Sequence, residues 1–166
     1  LCRAGAFDAA AAVQFALAVT YPTAGNIGGG GFMVGLTAEG ETFALDFREE
    51  APGAAHTDMF VDADGKMVPN LSTDTHTGVG VPGSVDGMLT LLDHYGTLSR
   101  AEVLTPAVAL ARDGFPVSYA LAGSLQRNER LRGFASSVAA FGLEGDGLRM
   151  GDHLRQPDLA ATLEAI

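Results

Sequence analysis

The chain has 166 residues, 47 % apolar and 18 % charged, a balance that fits one globular domain or a domain-sized piece and excludes intrinsic disorder. Its 10 basic and 20 acidic side chains leave a formal charge of −10 without any Lys/Arg cluster, so nucleic acid is not an expected partner. The single cysteine, Cys2, excludes an internal disulfide and a cysteine zinc site.

The longest apolar stretch, Ala9 to Val19, is broken by Gln14 and is too short to span a bilayer. As a signal-peptide core it lacks a basic flank, because Asp8 stands there, and no A-x-A site precedes Tyr21-Pro22. Phe7 to Val19 reads instead as an alanine-rich helix, with Asp8 in the first turn where an acid suits the dipole. It is apolar nearly all round, which predicts burial on every side. The run Gly25-Asn26-Ile27-Gly28-Gly29-Gly30-Gly31 follows as a loop that bends or packs closely. Phe32 to Leu36 and Thr42 to Phe47 read as two strands joined by a turn at Glu39-Gly40, a hairpin too small to stand alone. No other strand is expected. Ala51 to Thr77 reads as loop with short elements.

Val81-Pro82-Gly83 opens a helix to about Tyr95, with Val85, Met88, Leu89 and Leu92 at helical spacing. Ser99-Arg100-Ala101-Glu102 matches a capping box, starting a helix that Asp113-Gly114 ends. Pro106 lies too late for the first turn and is expected to kink or split it. One further helix is predicted from Val117 to about Leu131, then a turn-rich spacer from Gly142 to Gly151, then a helix from Pro157 to Ile166. The chain starts at Leu1 and stops inside an apolar-periodic segment, so it is expected to be part of a longer one.

Most chemical motifs are excluded by context. The glycine loop lacks the Lys-Ser/Thr of a P-loop, and its helix-before, strand-after setting reverses that of a dinucleotide fold. His56, His76, His94 and His153 have no metal-ligand spacing, and His94 reads as a helix-end cap. Asp62-Ala63-Asp64-Gly65 begins like a calcium loop, but Lys66 takes the fifth position, so a plain turn is expected. The segment Asp46-Phe47-Arg48-Glu49-Glu50 is different. Strand alternation would bring Asp46, Arg48 and Glu50 to one face. An arginine set by neighbouring carboxylates suits a two-pronged carboxylate clamp. On chemistry alone, a surface salt-bridge cluster is the commoner meaning of such a pattern.

Several blocks in order resemble the γ-glutamyltransferase (γ-glutamyltranspeptidase, glutathione hydrolase) family. They are Asp8-Ala9-Ala10 through Val19, Gly25 through Met33, Asp46-Phe47-Arg48-Glu49 with Ala51-Pro52, Val81-Pro82-Gly83 with Gly87, Pro106-Ala107 with Leu110 through Gly114, and Gln156 through Ala160. The resemblance covers nearly the whole chain, most weakly from Arg127 to Met150. It implies an α+β fold, the αββα sandwich of N-terminal nucleophile hydrolases, of which this chain would be a helix-rich partial piece with a short β-hairpin. The piece would divide into helix, glycine loop and hairpin over 1–52, a loop-rich stretch over 53–80 and a helical lobe over 81–166.

The implied activity of the full protein is γ-glutamyl transfer or hydrolysis, on glutathione and related amides. It would proceed through an acyl-enzyme on the N-terminal threonine of a small subunit, released by self-cleavage. That threonine has no counterpart in this chain, so no catalytic residue is assigned and the chain alone is expected to be inactive. Only Arg48 carries over, as the residue that binds the substrate α-carboxylate. The family needs no metal or cofactor. Its implied partners are the remainder of the same precursor and a small γ-glutamyl substrate, and its implied compartment is periplasmic or secreted. Cephalosporin or glutaryl acylases and polyglutamate depolymerases share the pattern, and a non-catalytic scaffold is the alternative outside enzymes.

Overall fold

The structure, a computed structural model, describes residues 5–166, so Cys2 lies outside the described residues. The chain divides into two compact units, Leu1–Asn26 with Met88–Ile166, and Ile27–Gly87.

The first unit is helical. Helix α1 (Ala6–Thr20) runs one residue beyond the predicted helix at each end, and Tyr21 closes it by donating its N–H to the Leu17 carbonyl at 2.9 Å. Ala11, Phe15, Ala18 and Val19 form its buried stripe. Burial on every side is corrected here, because Val13 is 56 % and Leu17 39 % exposed. Within this unit α1 lies mainly against α3 (Arg100–Asp113), and one neighbour covers only one stripe of a helix. Helix α2 (Ser84–Tyr95) contributes Met88, Leu91 and Leu92 to the core, while Val85 and Leu89 are half-buried. His94 ends it as expected, its Nδ1 2.8 Å from the Thr90 carbonyl.

Helix α3 carries the predicted box. The Ser99 hydroxyl accepts the Glu102 N–H at 3.3 Å, and the Glu102 carboxylate accepts the Ser99 N–H at 2.9 Å. Pro106 does not split it. The bond it deletes would have gone to the Glu102 carbonyl, and both residues are on the exposed side, where that carbonyl is open to solvent. Gly114, at φ 88°, stops the helix.

Two corrections follow along the chain. The single helix expected from Val117 to Leu131 is two, α4 (Tyr119–Arg127) and the one-turn α5 (Glu129–Arg132), interrupted at Asn128 where ψ is 80°. Asparagine competes for the backbone with its own amide and so weakens a helix interior. Strands are not confined to the hairpin either. The strand β3 (Phe115–Pro116) pairs antiparallel with β4 (His153–Leu154), and two residues are too few to show alternation. Between them lies α6 (Ala135–Phe141), absent from the sequence reading. Helix α7 (Pro157–Ala165) is where it was expected and packs on α3. Buried Gln156 precedes it and donates its side-chain amide to the Val19 carbonyl at 2.9 Å.

Asp8 is more than a dipole partner. It is 1 % exposed, and among the described residues its carboxylate accepts four bonds: from the N–H of Gly5, the N–H and hydroxyl of Thr97, and the N–H of Leu98, at 2.7 to 3.1 Å. Burial by itself raises a carboxyl pKa. Here the Thr97 hydroxyl and the Leu98, Thr97 and Gly5 N–H groups outweigh it and hold the value at about 2. The start of α1 is thereby tied to the connection between α2 and α3.

The second unit is built on the hairpin. Strands β1 (Phe32–Leu36) and β2 (Thr42–Asp46) pair antiparallel, Phe32 opposite Asp46 through Leu36 opposite Thr42, around a turn with Gly40 at φ 87°. Phe32, Val34 and Leu36 share one exposed face. In the loop that follows, Asp62 Oδ1 accepts the N–H groups of Asp64 and Lys66 at 2.9 Å each, which makes the acidic run the expected plain turn.

Candidate functional site

The site is the segment after β2. The hairpin ladder continues one residue past Asp46, with Phe47 donating to the Gly31 carbonyl at 3.0 Å. The chain then changes partner. Glu50 pairs antiparallel with Val81, donating at 3.0 Å and accepting at 2.8 Å. Arg48 lies between these two pairings.

Glycines hold the backbone there. A Cβ on Gly30 would sit 2.6 Å from the Arg48 Cα and the Phe47 carbonyl oxygen, and 2.7 Å from the Glu49 nitrogen. A Cβ on Gly83 would strike the same Phe47 oxygen and lie 3.1 Å from that of Arg48. Gly83 and Ser84 in turn both donate to the Gly29 carbonyl at 2.9 Å. The Phe47 ring rests on Gly31 and Gly87. The glycine run therefore closes on the chain's own backbone, where side chains would keep the strands apart.

The Arg48 side chain is exposed, at 63 %. Its Nε lies 3.6 Å from Asp46 Oδ1, the same oxygen that accepts the Arg48 N–H at 3.1 Å. Its guanidinium carbon stands 5.0 Å from the centre of the Phe32 ring. The two terminal nitrogens have no protein partner among the described residues. Of the three charges expected on one face, Asp46 and Arg48 meet. Glu50 is not among the Arg48 contacts, because the change of strand partner takes it elsewhere. An exposed pair at this distance adds little stability, but it occupies the Nε side of the fork and leaves the far edge open to a carboxylate.

Phe32, from the sequence only a strand residue, also stands beside the Arg48 guanidinium. The signal was available. A hairpin turning at Glu39-Gly40 places Phe32 opposite Asp46, hence diagonal to Arg48 on the same face. Among the described residues no group of three or more His, Cys, Asp or Glu side chains is arranged to hold a metal. Among the described residues no helix is long and apolar enough to cross a membrane. In the first unit a cavity of about 510 Å³ lies along α3 and α7; its Arg112–Glu164 ion pair and apolar walls present no nucleophile–base set.

The family profile described as Gamma-glutamyltranspeptidase matches residues 3–166. The glutathione hydrolase proenzyme of Escherichia coli K12 is 48 % identical over 163 residues, covering 97 % of this chain and 28 % of that protein. The chain thus spans under a third of that relative. Among solved structures, the γ-glutamyltranspeptidase of Helicobacter pylori superposes with a TM-score of 0.93 at 46 % identity, over 98 % of this chain and 47 % of that one. A cephalosporin acylase from Bacillus halodurans is more distant, at 29 % identity and a TM-score of 0.86, over 99 % of this chain and 32 % of that one. The fold is accordingly a helix-rich α+β piece of the N-terminal nucleophile hydrolase type, with the expected short hairpin. Profile and superposition run over the same blocks that first suggested the kinship, and the chain belongs to the γ-glutamyltranspeptidase family.

Proposed function

We propose that the whole protein hydrolyses or transfers γ-glutamyl groups, and that this chain supplies the arginine that receives the donor's α-carboxylate, Arg48. The observation that carries the reading is a guanidinium on a glycine-clamped backbone, its two terminal nitrogens without a partner among the described residues. A planar fork of this kind makes two parallel hydrogen bonds to a carboxylate. Family membership supports the reaction class, and relatives described as proenzymes much longer than this chain support a partner in the rest of the same precursor. In this reading the remaining large-subunit residues and a small subunit bring the threonine nucleophile. Arg48 fixes one end of the donor so that its γ-carbonyl meets that nucleophile, and the free amine of the threonine serves as base. An acylase role is the second reading, but retention of the arginine fork favours donors with a free α-carboxylate.

The test is Arg48→Ala in the full-length protein, assayed with a γ-glutamyl anilide and with the same anilide amidated at its α-carboxylate. Removing one partner of a hydrogen-bonded charge pair costs about 2–5 kcal/mol, or roughly 30-fold to several-thousand-fold in kcat/KM on the normal donor. The amidated donor should lose little further. Arg48→Lys should restore only part, because an ammonium cannot form the paired contact. Equal loss on both donors, or a loss no larger than the roughly 1 kcal/mol of an exposed ion pair, refutes the assignment.

A further inference from the structure

We propose that Phe32 is a positioning residue for Arg48: its ring is the shelf that sets the plane of the guanidinium and leaves the terminal edge as the carboxylate receptor. The inference rests on the reading of Arg48 given above and adds the residue that makes its geometry specific.

The register places the two residues together. Phe32 opens β1 opposite Asp46, which closes β2, and Arg48 follows two residues later on the same face. The guanidinium carbon lies 5.0 Å from the ring centre, within the range of a cation–π contact. Asp46 borders the Nε side at 3.6 Å. A guanidinium has two usable hydrogen-bonding edges, one including Nε and one formed by the terminal nitrogens. With Asp46 on the first, the second remains. The ring has no acceptor, so it takes none of the five donors. It restricts tilt and so lowers the entropy lost when a carboxylate docks. Phe32 is 66 % exposed, yet it opens a strand whose first ladder partner is the end of β2, so its position follows the hairpin and not a mobile loop.

Backbone support is independent of the ring. Gly30 and Gly83 fix the backbone around Arg48, while Phe32 acts on its head group. Loss of the ring should therefore leave the backbone in place and free the side chain to turn. The expected signature is weaker donor binding with the chemical step preserved.

The experiment compares Phe32→Leu, Phe32→Met, Phe32→Tyr, Arg48→Ala and the Phe32→Leu/Arg48→Ala double variant in the full-length processed enzyme. Each is assayed with the free and the α-amidated γ-glutamyl anilide. Phe32→Leu and Phe32→Met should raise KM for the free donor about two- to five-fold, the range of a solvent-exposed cation–π contact expressed as a ratio, with kcat unchanged. Phe32→Tyr, which keeps the ring, should restore KM. On the amidated donor the single variants should match the parent, and the double variant should be no worse than Arg48→Ala alone. Should Phe32→Leu fail to mature, Phe32→Met against Phe32→Tyr makes the same comparison. Equal KM increases on both donors, failure of Phe32→Tyr to restore, or a further loss in the Arg48→Ala background overturns the shelf. If Arg48→Ala itself shows no preference between donors, the carboxylate reading fails first, and the shelf falls with it.

Discussion

Asp8→Asn keeps the shape of a buried side chain and removes its charge, which isolates what the carboxylate does. In the native arrangement Oδ1 accepts the N–H groups of Thr97 and Leu98, and Oδ2 accepts the Gly5 N–H and the Thr97 hydroxyl. An amide retains one accepting oxygen. Its NH₂ would face the Gly5 N–H, donor against donor, in a site 1 % exposed. Leaving such a donor unsatisfied and removing charged hydrogen bonds costs about 2–4 kcal/mol. The carboxyl itself gives a consistent figure. A fall from 3.8 to about 2 corresponds to about 2.5 kcal/mol of preference for the folded, ionised state. The sign follows from the direction. A lowered pKa gives stability that is fully present above the unfolded value near 4 and is lost as pH falls through the folded value near 2. At neutral pH the variant should melt roughly 5–15 °C lower, given about 2–4 °C per kcal/mol for chains of this size. Urea unfolding at neutral pH and in steps from about pH 5 to about pH 2 is the assay. The gap between parent and variant should narrow as Asp8 of the parent takes up its proton. A gap within about 0.5 kcal/mol at neutral pH, or one that stays constant down to the lowest pH, refutes the reasoning.

Two further outcomes are expected. Gly30→Ala, whose new Cβ would lie 2.6 Å from the Arg48 Cα, should cost about 1–3 kcal/mol by overpacking and lower kcat/KM of the full-length enzyme, whereas Gly28→Ala, with nothing within 4 Å, should change neither; melting curves and donor kinetics of the pair check this. The 166-residue chain on its own should release no aniline from a γ-glutamyl anilide above a blank from the same host, because no threonine nucleophile with a free α-amine is assigned in it; measurable release would mean the reactive centre lies within these residues.

Where local chemistry decides structure, the sequence was a sufficient guide. The Ser99–Glu102 box, the Gly40 and Gly114 stops and the alternation of β1 and β2 are short-range signals, each complete within a few residues. The misses came from elements too short to carry a period, such as α6 and the two-residue β3 and β4, and from tertiary context. The unsplit helix at Pro106 illustrates the second kind. The missing N–H costs less where the orphaned carbonyl is exposed, and exposure of Glu102 is invisible in the sequence. Asp8 illustrates it more sharply. Its position in the first turn was legible, but three of its four donors come from Thr97 and Leu98, about ninety positions away.

The candidate site divides in the same way. Alternation assigned Asp46, Arg48 and Glu50 to one face by treating the strand as continuous. The strand instead changes partner at Arg48, from Gly31 to Val81, and that switch removes Glu50 from the cluster. The consequence is chemical. Two flanking carboxylates would compete for the fork, and a guanidinium pinned by both would resemble the salt-bridge cluster that composition alone suggests. One carboxylate on the Nε side and an aromatic ring 5.0 Å from the guanidinium carbon leave the terminal nitrogens without a partner among the described residues. Gly30 in the glycine run and Gly83 beside Val81 permit the switch, since both admit the backbone of Phe47 to Glu49 at distances no side chain would allow. Gly30, in the stretch that resembles a phosphate cradle, therefore makes room for the chain's own backbone, and the change of partner that this close approach accommodates leaves Asp46 as the carboxylate beside Arg48.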